Sequence, residues 1–209
     1  MAQSQKIRFL GWFFLVLGII SVFWHVIIQD WRYAVWFCNH AMIITGLAVL
    51  HKNKFWLTAM LNWALIPVSL WIIDFLGKLL FGTYLLRITE YMFVEQWWKH
   101  LLGYQHFITV PLMLYALWML GRPAKNAWLG TTIHGAILWV ISYFLITPDY
   151  NVNCAHTSCV PMLIPQVSWY PVLWVVVAVI MFFLTNWFLV WAFSEQPKAK
   201  HPSRARQRK

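Results

Sequence analysis

Six stretches of the chain stay apolar for about the length of a membrane-crossing helix: residues 9–28, 33–50, 55–74, 101–120, 127–147 and 169–193. About 20 mostly apolar residues are needed to cross ~30 Å of hydrocarbon. Apolar positions ring most of each predicted helix instead of forming one stripe, the pattern of a helix with lipid on its outside. The runs are too long and too unalternating for barrel strands. The pattern predicts an all-α polytopic membrane protein, with a six-helix transmembrane domain over 1–194 and a basic tail over 195–209. Residues 1–8 look like a basic leader, but the apolar run that follows is longer than a signal peptide's and no small-x-small site closes it, so the first span is read as retained.

The connections sharpen this picture. Residues 51–54 and 121–126 read as tight turns. Residues 75–100 mix Leu79, Leu80, Tyr91, Met92, Phe93, Trp97 and Trp98 with Arg87, Glu90, Glu95 and Lys99, with Glu95 and Lys99 at i,i+4. That mixture predicts an amphipathic helix lying in the interface, its Trp pair at headgroup level. Residues 148–168 form a polar connection without Lys or Arg. Cys154 and Cys159 within it suit a disulfide if that side is oxidising; free thiols and a metal site with His156 are the alternatives.

Composition agrees with the pattern. Of 209 residues, 61% are hydrophobic and only 11% charged. That excludes a disordered chain and an ordinary soluble enzyme. Twelve of the sixteen Lys and Arg fall on the side shared by both termini, which predicts both termini inside, facing the cytoplasm. The net charge of +10 is then a topology signal and an attraction for anionic lipid, and no nucleic-acid partner is implied. Membrane lipid is the expected partner. Many of the sixteen Trp fall near predicted interfaces, where an aromatic belt accounts for them.

Polar side chains inside a membrane are costly and call for an explanation. One set gathers near the outer boundary: Cys38, Asn39 and His40 in the second span, Asp74 ending the third, Gln105 and His106 opening the fourth, and Asp149, Tyr150, Asn151 and Asn153 after the fifth. Together they suggest a polar cavity opening outward. Cys38 would be a nucleophile with His106 as its base, Asn39 an oxyanion donor and Asp74 the group orienting the His. His40, Gln105, Asp149, Tyr150, Asn151 and Asn153 would line the ligand site. Deeper in the bundle, Asn62 and Asn186 read as interhelical hydrogen bonds. No two His in one span stand at i,i+3 or i,i+4, so no metal and no cofactor is expected.

The run Trp36-Phe37-Cys38-Asn39 resembles a motif in an uncharacterised family of small bacterial and archaeal multi-pass proteins. Trp71-Ile72-Ile73-Asp74-Phe75-Leu76, Thr89-Glu90-Tyr91-Met92-Phe93, His106, Gly121-Arg122-Pro123 and Thr147-Pro148-Asp149-Tyr150-Asn151-Val152-Asn153 extend the resemblance over about 36–174. More distantly, the pattern is similar to the YwaF-like and transmembrane-protein-164-like family, and through it to the androgen-induced-gene lipid hydrolases. The resemblance implies a prokaryotic plasma-membrane protein. It also implies a membrane-embedded hydrolase or acyltransferase for fatty acyl esters, with Cys38 as nucleophile and His106 as base. The alternatives are a non-catalytic protein that binds or transports a small ligand, and a structural membrane subunit.

Overall fold

The computed structural model describes residues 3–94 and 97–195. The tail from residue 196 onward and the Glu95–Lys99 side-chain pair lie outside the described residues. Among the described residues the regular elements are all helices, with no strand. The helices are α1 (Gln3–Ile28), α2 (Phe37–Leu50), α3 (Lys54–Phe81), α4 (Tyr91–Val94), α5 (His106–Leu120), α6 (Ala127–Leu145) and α7 (Tyr170–Ala192).

Four of these, α1, α3, α6 and α7, are long and apolar enough to cross a membrane. The expected second and fourth spans are shorter as α-helix. α2 has 14 residues and α5 has 15, about 21–23 Å at 1.5 Å per residue. The missing length is wound as 3-10 turns, Trp31–Val35 before α2 and Trp97–Gln105 before α5. Asp30 sets the first of these: its carboxylate accepts from the Arg32 amide and from the Arg32 guanidinium, both at 2.9 Å.

The third span departs in the other direction. Asn53 caps α3 by accepting from the Trp56 amide at 3.2 Å, and the helix continues past Asp74 to Phe81. It stops at Gly82, whose φ of +73° is a conformation that suits a residue without Cβ. The single interfacial helix expected over 75–100 is therefore replaced by the last turns of α3, a non-helical link, the four residues of α4 and a 3-10 segment. The cause is Asp74. Its carboxylate draws in the amides of Leu86, Arg87 and Thr89, which a continuous helix would have bonded internally.

α3 is the hub and packs on α2, α5, α6 and α7, while α1 lies chiefly on α2. Leu57, Met60 and Leu61 of α3 are fully enclosed. Within the first third of α3, Asn62 Nδ2 donates to Asn186 Oδ1 at 3.0 Å, and Thr131 Oγ1 donates to the Ala59 carbonyl at 2.7 Å. These bonds tie α3, α6 and α7, the glue expected of Asn62 and Asn186; such bonds are worth ~0.6 kcal/mol each. Gln3 reaches the Met119 carbonyl, and Asn186 reaches that of Lys125, so both described chain ends lie at one end of the bundle.

Hydrocarbon gives helices no hydrophobic drive to associate, so close packing must hold them. Gly46 serves this at the α1–α2 contact: a Cβ there would stand 2.5 Å from the Leu15 amide nitrogen. Gly18 similarly faces the Ile43 amide at 2.8 Å. Because the obstruction is backbone, no rotamer change relieves it. Gly46→Leu is expected to destabilise the bundle by at least about 1–3 kcal/mol, read as a lowered melting temperature in detergent. Gly135→Ala, whose Cβ would meet only ring carbons at 3.5 Å and beyond, should melt close to the parent.

Candidate functional site

The polar residues at the end of the bundle remote from the termini divide into two groups. The larger group is engaged in holding backbone. Asp74 is fully buried; its Oδ1 accepts from Leu86 N at 2.6 Å and Arg87 N at 3.1 Å, and its Oδ2 from Thr89 N at 2.9 Å and Thr89 Oγ1 at 2.8 Å. Asn39 is also fully buried: it accepts from Ser21 Oγ at 2.7 Å and donates to the Tyr33 carbonyl at 3.0 Å, joining α1 to the turn before α2. Asn153 accepts from the Phe37 amide at 2.9 Å and donates to the Val35 carbonyl and to Ser142 Oγ. It thereby caps α2, whose first-turn amides have no partner within the helix.

The connection after α6 is organised in the same manner. Asn151, at φ +39°, accepts from the amides of His156 and Thr157 and donates to the Thr157 carbonyl. Tyr150 donates to Asp30 Oδ2 at 3.3 Å while the Arg32 guanidinium lies over its ring at 4.3 Å. Asp149 is exposed. Cys154 and Cys159 are joined by a disulfide, which decides among the three alternatives for this pair. His156 Nε2 lies 3.0 Å from the Ile146 carbonyl, a group that only accepts, so its role is to donate there.

The smaller group surrounds a cavity between α2, α3 and α5. Cys38, Gln105, His106 and Thr109 contribute to its wall together with the apolar Ala41, Met42, Trp63, Ala64 and Val68. Its volume is about 10 Å³, at the lower limit for one water. Cys38 is the free cysteine, its sulfur 3.9 Å from Asn39 Oδ1. His106 Nδ1 lies 2.6 Å from the Gly103 carbonyl. A carbonyl oxygen cannot donate, so Nδ1 carries the proton and Nε2 is left with the basic lone pair. The imidazole stacks on Trp71 at 4.8 Å, and the Trp71 indole donates to the Tyr91 hydroxyl at 3.0 Å. Gln105 is 7% exposed, and its Oε1 has no partner among the described residues.

Of the expected catalytic set, the structure brings Cys38 and His106 to one cavity. Asn39 is turned to Tyr33 and Ser21, and Asp74 to the link after α3, so the His is oriented by a carbonyl and an indole instead of a carboxylate. Gln105 joins the cavity, whereas His40 stands beside His134, with ring centroids 5.9 Å apart. Asn151 and Asn153 serve the backbone. The roles of Trp71, Tyr91 and Gly103 escaped the residue-type reading; Trp71 and Tyr91 stand in the two runs, 71–76 and 89–93, that carry the resemblance, but nothing there marked them as neighbours of His106. Among the described residues no three His, Cys, Asp or Glu side chains gather as a metal set. Comparison with protein families, curated proteins and solved structures gives no match to this chain.

Two outcomes follow. Thiol titration of the denatured, unreduced protein should find one reactive group, Cys38, and three after reduction. Asp74→Ala should release the link after α3 and speed tryptic cleavage at the exposed Arg87. The loss is expected to be at least ~2 kcal/mol, since several charge-assisted bonds vanish together.

Proposed function

We propose that the chain is an intramembrane acyl hydrolase or acyltransferase acting on lipid esters, with Cys38 as nucleophile and His106 as base. The observation that carries this is the shared cavity, which is lined both by a free thiol on α2 and by an imidazole on α5 with its Nδ1 proton held by Gly103. His106 Nε2 takes the thiol proton. The sulfur attacks the ester carbonyl, and the C–O bond of the collapsing intermediate breaks. The departing alcohol receives its proton from His106. Water, or a second alcohol, then cleaves the thioester with His106 again as base. With the Asn39 amide engaged elsewhere, Gln105 supplies the N–H for the developing oxyanion.

In this proposal all six long helices cross the membrane, both termini face the cytoplasm and the site opens toward the opposite leaflet. Laid end to end with their 3-10 turns, at ~2.0 Å rise per residue, α2 and α5 each reach about 30 Å or more, enough to cross. The charge distribution supports the orientation. A cavity of about 10 Å³ admits no acyl chain, so catalysis requires the wall at Met42 and Trp63 to open. That same smallness favours the second reading, a non-catalytic site for a ligand the size of water.

The test is labelling of the membrane-embedded full chain with a thiol-directed acyl probe. Labelling should vanish in Cys38→Ala and slow by about 10²-fold or more in His106→Gln. Asn153→Ala, which removes the α2 cap and the bonds to Val35 and Ser142 but no residue of the cavity wall, should still label. Undiminished labelling of Cys38→Ala, or equal rates for parent and His106→Gln, removes the proposal.

A further inference from the structure

At the end of the bundle that holds the termini, a second depression lies outside the Cys38 region. It occupies about 290 Å³ beside the turn from α2 to α3. Ile44, Leu47 and Ala48 of α2 form its apolar side, and Trp56 in the first turn of α3 forms the opposite lip. Its upper edge is polar, from His51 and Asn53, with the exposed Lys52 between them. Leu47 is 44% exposed and Trp56 36%, so the apolar side is not closed by the fold.

The turn itself presents the edge outward. Lys52 sits at φ +54° between two helix ends, and Asn53 uses its side-chain oxygen to cap α3. No ion-pair or hydrogen-bond partner holds the Lys52 ammonium among the described residues. Arg8, one turn before the Gly11 that abuts Leu50, and Lys54, whose Nζ reaches toward Gly121, add positive charge at this end. Among the described residues Glu195 is the acid found here; Asp30, Asp74, Glu90 and Asp149 belong to the other end.

From this arrangement we infer that the groove is a binding site for an anionic phospholipid. The acyl chain lies along Ile44 and Leu47, the indole of Trp56 stands at the level of the glycerol backbone, and the phosphate rests at His51 and Lys52. Charge and depth select the occupant. An apolar side that begins one turn below a cationic rim matches a molecule with an oily chain and a negative head. A soluble anion would use only the rim, and a neutral lipid only the wall. The inference stands apart from the proposed acyl chemistry, because no residue is shared with the Cys38 cavity.

Native mass spectrometry of the detergent-solubilised full chain, given equimolar phosphatidylglycerol and phosphatidylcholine, tests it. The parent should retain the anionic lipid in preference by about five-fold or more, the effect of one cation at a membrane surface. His51→Glu with Lys52→Glu should bring the two lipids to parity. Leu47→Trp, which fills the groove, should lower retention of the anionic lipid with the rim charges intact. Lys125→Glu, at the same end but outside the groove, should keep the preference. Millimolar glycerol phosphate should leave the bound lipid in place. Equal retention of both lipids by the parent overturns the site. So does a loss of preference in Lys125→Glu matching that of the double variant, since general surface charge would then account for it. Displacement by glycerol phosphate would assign the rim to a soluble anion and also overturn it.

Discussion

Hydrocarbon offers no hydrogen-bond partner, so an amide, hydroxyl or carboxylate buried within this bundle can be satisfied only by another group of the chain. The fold is organised by how that demand is met. Asp74 meets it by gathering the link after α3 beneath its carboxylate. Asn39 meets it with Ser21 of α1 and the Tyr33 carbonyl, and Asn153 by capping a helix 116 residues earlier in the chain. Apolar helix faces can slide past one another at little cost in lipid, but a hydrogen-bonded amide cannot. These few bonds therefore fix the register that the many Leu, Ile and Phe contacts leave loose, and the glycine contact between α1 and α2 fixes the distance.

The same division governs what could be read from residue types alone. Runs of apolar residues locate α6 and α7 to within two residues at each end, because lipid exposure places the same demand on every position of a span, while α1 begins earlier and α3 ends later than expected. The starts of α2 and α5 were not legible. Whether a residue such as Tyr33 or Leu101 winds as α or 3-10 depends on Asp30 and on backbone bonds that no hydropathy pattern contains. That the polar set lies toward the end of the bundle remote from the termini was also legible, but its meaning was not. An Asn near a membrane boundary looks alike whether it faces a ligand or a carbonyl. For Asn153 the answer lay in Phe37 and Val35, far away in sequence. Cys154 and Cys159 illustrate the reverse: close spacing narrowed the alternatives to three, and the geometry chose one.

A polar group already fully engaged cannot take part in chemistry without first giving up what it holds. Asn39, Asp74 and Asn153 are in that position, and their removal from the candidate site follows from their bonds. What separates Cys38, Gln105 and His106 from them is unused capacity. The thiol has only a distant contact with Asn39, the Gln105 oxygen has no donor among the described residues, and the His106 ring keeps one nitrogen free while the other is fixed. A base needs this combination, with one ring nitrogen anchored so that the second is aimed. Here the anchor is a carbonyl and the support an indole, which stabilise an imidazolium less than a carboxylate would. An acyl-transfer site built this way would depend more on exclusion of water and on placement of the ester than on a strongly activated base. The tight apolar wall of Met42, Trp63 and Val68 is consistent with that balance, because a site that opens only for an oily substrate keeps water out until the substrate arrives.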